Sequence, residues 1–115
     1  MSYLSEANER RIEKISSLKQ EYREEAKRLA SLLAKKGYEF KKLHLFGSSL
    51  DNRPLGPWSD IDLAIEGLRN DLFFKVYALL LKEAKFPVDL KPFEDLDRTF
   101  KERIERKGEV IYEAR

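Results

Sequence analysis

Apolar residues recur early in the chain at spacings of three and four: Ile12, Ile15, Leu18, Tyr22, Ala26, Leu29 and Leu33. That period predicts one long helix over residues 1–36. Its opposite face is charged, with Arg10, Arg11, Lys14, Glu21, Glu24, Lys27 and Arg28. Ser5 stands at the expected N-cap, with Asn8 three residues on in place of the favoured Glu. Gly37 ends the helix, and Lys35 and Lys36 suit the negative end of its dipole. The pattern then alternates. Leu43 and Leu45, extending to Lys41, share one face of a strand, and His44 and Phe46 share the other. For His44 this predicts a place at the core edge or the surface rather than a catalytic one.

A loop follows, because Asp51-Asn52-Arg53-Pro54-Leu55-Gly56-Pro57-Trp58-Ser59 is rich in turn formers. Asp60 to Ile65 reads as a second strand that Gly67 terminates. Asn70 or Asp71 can cap a helix whose apolar stripe is Leu72, Phe73, Val76, Tyr77, Leu80 and Leu81. Residues 87–91 form a third short strand, with Pro87 first, where a missing donor does least harm. Asp95 opens a helix to about Lys107 with Leu96, Phe100 and Ile104 on one side, and Gly108 closes it. Residues 109–112 make a final edge strand. Strands separated by helices predict an α/β (α+β) fold, a small mixed sheet with covering helices. With 115 residues and no long linker, the chain reads as a single domain, residues 1–115, with a core at 41–112 behind the N-terminal helix.

Composition narrows the function classes. Hydrophobic residues make up 42% and charged residues 38%, the balance of a soluble protein with a dense charged surface. Net charge is only +2 and the two signs interleave, so no basic patch points to nucleic acid. The absence of Cys excludes a disulfide scaffold, a thiolate metal site and a cysteine nucleophile. No apolar leader or membrane span is evident. A cytoplasmic protein is expected, with oligomeric state, homo-oligomers included, left open.

The chemistry concentrates between Gly47 and Ala64. Alternate residues of a strand share a face, so Asp60 and Asp62 project together, about 6–7 Å apart along the backbone. Ile61, Leu63 and Ile65 face the core. Paired carboxylates repel unless one keeps its proton or a cation neutralises both. Oxygen ligands of this kind suit Mg²⁺. Asp89, between Val88 and Leu90, also points away from the core. If its strand neighbours that of Asp60, three carboxylates converge as for a two-metal phosphoryl or nucleotidyl transfer site, with Asp89 a candidate general base. Gly47 permits close approach of a phosphate, and Ser48 adds a hydroxyl within an anion-binding turn. Lys91 shares the face of Asp89 and suits either phosphate contact or edge protection. Arg53 fits a solvated loop residue or a phosphate partner, and Trp58 fits loop packing or base stacking.

Gly47-Ser48, a loop, then Asp60-Ile61-Asp62 on a strand resembles the signature of the DNA polymerase beta-like nucleotidyltransferases, and within them the minimal nucleotidyltransferase (MNT) group. The resemblance covers the strand at Lys42 to the strand at Tyr112. It implies catalytic and metal-binding roles for Asp60, Asp62 and Asp89, nucleotide contacts at Gly47, Ser48 and Ser49, and Mg²⁺ as cofactor. It also implies transfer of a nucleoside monophosphate, AMP from ATP or another NTP, to a protein or other hydroxyl. Many minimal members resemble antitoxins acting with a small helical HEPN-type partner, so such a partner is expected here. The alternative is a binding module that neutralises a partner by occlusion. One departure is the spacing: eleven residues, Ser49 to Ser59, separate the turn from Asp60, one more than is usual.

Overall fold

The computed structural model describes the backbone of residues 3–47 and 60–115, and side chains within those spans from residue 18 onward. Helix α1 spans Tyr3–Lys35, strand β1 Lys42–Phe46 and strand β2 Ile61–Glu66. Helix α2 spans Phe73–Glu83, strand β3 Val88–Pro92, helix α3 Arg98–Lys107 and strand β4 Glu109–Glu113. The element order is the one the hydrophobic pattern predicts.

The four strands form one mixed sheet in the order β3-β2-β1-β4. β1 pairs antiparallel with β2 and β4, and β2 pairs parallel with β3, with α2 as the crossover between them. β4 is an edge strand, as expected. Period two then divides the sheet into two faces. Leu43, Leu45, Ile61, Leu63, Ile65, Val88 and Leu90 pack in one cluster with Tyr22, Ala26, Leu29, Ala30 and Leu33 of α1 and Val76 and Leu80 of α2. The opposite face carries a smaller cluster, Phe46, Ala64, Phe93 and Ile104, with Leu96 and Phe100 packed beside it. A sheet covered on both sides needs apolar residues at successive positions of its inner strands, which is why Leu43 to Phe46 are all buried.

Local chemistry fixes the helix ends, in part differently from the sequence reading. Gly37 adopts φ +86°, and the amides of Gly37 and Tyr38 reach back to the carbonyls of Ala34 and Leu33 at 3.1 Å each, closing α1 as expected. At its other end α1 runs from Tyr3, which puts Ser5 inside the helix rather than at its cap. A 3₁₀ turn, Asn70–Leu72, leads into α2, so Leu72 takes the cap position with no side-chain cap. Asp71 pairs with Arg69 at 2.7 Å instead. A second 3₁₀ turn, Phe93–Asp95, turns Phe93 into the smaller cluster and delays α3 by three residues. Asp97, rather than Asp95, is its cap, accepting from the Phe100 amide at 2.8 Å. Leu81, assigned by period to the buried stripe of α2, is 57% exposed and Phe74 is 81% exposed, because α2 packs through the narrower ridge of Val76 and Leu80.

A half-exposed ion pair on α1, Glu25 with Arg28, is tied by hydrogen bonds to the end of α2. Glu25 is buried and receives both Arg28 Nε (2.7 Å) and a terminal Arg28 nitrogen (2.8 Å). It also accepts the Lys85 amide at 2.6 Å, while Arg28 donates to the Glu83 carbonyl at 2.7 Å. Burial acts to raise the Glu25 pKa, but the hydrogen bonds and charges of Arg28 and Lys85 outweigh it and hold the carboxyl below its ordinary value.

Candidate active site

Parallel pairing of β2 with β3 brings two of the predicted acids together. Asp62 and Asp89 are register partners on adjacent strands, about 4.8 Å apart in the pairing direction. Ile61 and Leu63, Val88 and Leu90 anchor the two strands in the larger cluster, so both aspartates stand on the other face. They are only half-buried, with Phe46 of the smaller cluster beside Asp62. Asp60 precedes β2 and is exposed; its successor amide, that of Ile61, donates to the Pro87 carbonyl at 2.7 Å. Tyr22 of α1 feels this acid: burial first, then the negative charges of Asp60 and Glu21, push its hydroxyl above the ordinary value.

Gly47 completes the wall. It follows β1, whose Phe46 is the register partner of Asp62, and it is buried with φ +81°. A Cβ at Gly47 would overlap the Asp62 carboxylate, Oδ2 foremost, with Cγ at 2.8 Å. The missing side chain therefore creates the space in which the carboxylate lies, and the left-handed φ turns the chain there at little cost to a glycine. Ser48, Ser49, Arg53 and Trp58 lie outside the described residues.

Two features were not evident from periodicity. Lys91 Nζ lies 2.7 Å from Asp89 Oδ2, so the lysine that the pattern placed on the same face is an ion-pair partner of the third acid. His44 is 2% exposed, deep in the core rather than at its edge. Its ring stacks on Phe93 with centroids 4.7 Å apart, and Nε2 lies 2.9 Å from Glu66 Oε1. Burial tends to raise the Glu66 pKa, but the His44 hydrogen bond and charge, with Lys41 and Lys42, hold it below the ordinary value. A polar residue on the second face of an inner strand, two positions before Phe46, is the signal that could have placed His44 inside.

The donor set fits a hard divalent cation: oxygen ligands only, from two carboxylates in register and a third at the strand entrance. Among the described residues no three His, Asp or Glu side chains are gathered around one point, and Asp89 is turned to Lys91. Among the described residues the geometry thus supplies two adjacent carboxylates beside the glycine turn at Gly47, with Lys91 as the counter-charge of one of them.

Comparison with known proteins bears on this arrangement. The model of the family described as polymerase beta, nucleotidyltransferase matches residues 27–115. No curated protein matches the chain. Among solved structures, it is similar to a toxin-antitoxin crystallised with AMP-PNP, at 22% identity and a TM-score of 0.59, over 78% of this chain and 73% of that one. A MntA-HpeT toxin-antitoxin mutant is similar at 18% identity with a TM-score of 0.59, over 76% and 72% of the two chains. So is a complex of a tri-AMPylated Shewanella oneidensis HEPN toxin with its MNT antitoxin, at 18% identity and a TM-score of 0.58, over 81% and 73%. At these identities the likeness is one of fold.

Proposed function

Because the chain belongs to the polymerase beta nucleotidyltransferase family, we propose that it is a Mg²⁺-dependent enzyme that moves AMP from ATP to a hydroxyl of a protein partner of the HEPN type. The observation that carries this reading is the register pairing of Asp62 with Asp89 beside the glycine turn at Gly47. Asp60, Asp62 and Asp89 would hold the metal, and Gly47 with Ser48 and Ser49 would lie along the triphosphate. When bound, Mg²⁺ supplies charge neutralisation at the phosphates and makes the acceptor hydroxyl more acidic.

The residues of the chain set the geometry of the transfer. The acceptor oxygen bonds to the α-phosphorus in line with the leaving pyrophosphate, whose bond to that phosphorus breaks. In this reading Asp89 receives the acceptor proton. Asp62 stands on an inner strand, and its carboxylate occupies the space that Gly47 leaves open. A protein acceptor is supported by the AMPylated toxin in the complex that shares this fold. No described helix is long and apolar enough to cross a membrane.

Labelled ATP, Mg²⁺ and a HEPN-type protein are the materials of the test. Label should appear on the partner with the wild-type chain and vanish with Asp60→Asn or Asp62→Asn, while circular dichroism shows both variants folded. Full transfer by either folded variant would sink the reading.

A further inference from the structure

Adjacent carboxylates on paired strands repel, and the register of β2 and β3 holds Asp62 and Asp89 side by side regardless. Lys91 lies two residues beyond Asp89 on the same face of β3, so strand geometry alone delivers its ammonium to the acids. Its Nζ is 2.7 Å from Asp89 Oδ2. Its own register partner is Ala64, which offers no polar group to draw the ammonium elsewhere. Lys101, another cation on this side of the sheet, stands over the Phe93 ring at 5.8 Å from its centroid.

We propose that Lys91 is a built-in counter-ion of the acidic site: it neutralises Asp89 while no divalent cation is bound, and a cation entering between Asp62 and Asp89 displaces its ammonium from Oδ2. This rests on the reading of Asp62 and Asp89 as metal ligands given above. The pair is suited to exchange. Its side chains are 38% and 36% exposed, so solvent receives the released ammonium and the pair itself is weak. Lys91 is therefore a positioning residue that sets how readily metal enters. Once released, it stands at the rim of the site with its charge turned toward any anionic ligand. Metal alone is thus opposed by Lys91, whereas metal arriving with a triphosphate gives the ammonium a new partner.

The test is Mn²⁺ binding without nucleotide, read on the full chain from the electron paramagnetic resonance of free Mn²⁺. Lys91→Met should bind about fivefold more tightly than wild type, the scale of one half-exposed ion pair. Lys91→Arg, which keeps the charge, should stay within about twofold of wild type, and so should Lys101→Met. Unchanged or weaker binding by Lys91→Met, or an equal gain in Lys101→Met, would overturn the proposal. Asp62→Asn separates the two levels of the argument. Binding that survives Asp62→Asn, or none in any variant, overturns the metal-ligand reading itself and the counter-ion with it. Binding lost in Asp62→Asn but unmoved in Lys91→Met overturns the counter-ion alone. Thermal melting gives a second readout: in metal-free buffer Lys91→Met should melt below wild type, and Mn²⁺ should raise it by more. Equal responses would count against the proposal.

Discussion

A methyl group at Gly47 would have to share space with the Asp62 carboxylate, in a backbone conformation that L-residues avoid. Gly47→Ala should therefore cost about 1–3 kcal/mol of stability through the positive φ, and should cost more in activity than in fold. The check is transfer of label from ATP beside a thermal melt: near-complete loss of transfer in a protein that still melts cooperatively. Carboxyls held by cationic partners elsewhere govern the acid limit. Glu25 and Glu66 both titrate below their ordinary range in the folded chain. A depressed folded pKa adds stability above the unfolded value, and that stability is lost as pH falls through the folded one. The melting temperature should thus hold through neutral pH and drop on acidification, with a shallower drop in Glu25→Gln. A pH-independent difference between the two proteins would contradict this. The turn at Gly47 was legible in the sequence, but its packing against Asp62 was not. That contact joins two strands whose register no local pattern encodes.

Helices and strands could be read from period and punctuation, and the errors cluster at their ends. Asp95 and Asp97 are both plausible caps, and only the docking of Phe93 into the smaller cluster selects the later one. Asp97→Ala should destabilise the fold by about 1 kcal/mol, the usual scale of an N-cap, whereas Asp95→Ala should be nearly silent. Denaturant midpoints of the two variants test this directly. Similarly, the period of α2 marks Leu81 and Val76 alike, but contact with the sheet separates them. Three-and-four spacing tells which residues share a face, not how wide a strip the neighbour covers.

The molecule as a whole is a sheet with unequal coverage. α1 and α2 pack one face, and among the described residues α3 with Phe93 and Phe100 fills part of the other, with Asp62 and Asp89 half-buried on that side. The alternation of Asp60-Ile61-Asp62 foretold which face would carry acids. The sequence could not show that β3 lies beside β2, since parallel pairing is set by the crossover through α2 rather than by adjacency. Ile104 is the fully buried aliphatic of α3 in the smaller cluster, so Ile104→Ala should cost about 2–4 kcal/mol by cavity formation. Urea titration measures that loss, and a midpoint unchanged from wild type would refute the two-cluster description.

The ion pair at Glu25 also has a consequence for the clock of the molecule. It ties α1 to the Lys85 amide across sixty residues of sequence, |i−j| = 60, a contact that closes a long loop and gains nothing until α2 has docked. The loop-closure cost predicts that this contact forms late in folding and breaks early in unfolding. Glu25→Gln should then leave the refolding rate in stopped-flow nearly untouched and speed unfolding several-fold. The pair would act as a latch on the folded state, setting how long the chain stays closed rather than how fast it closes.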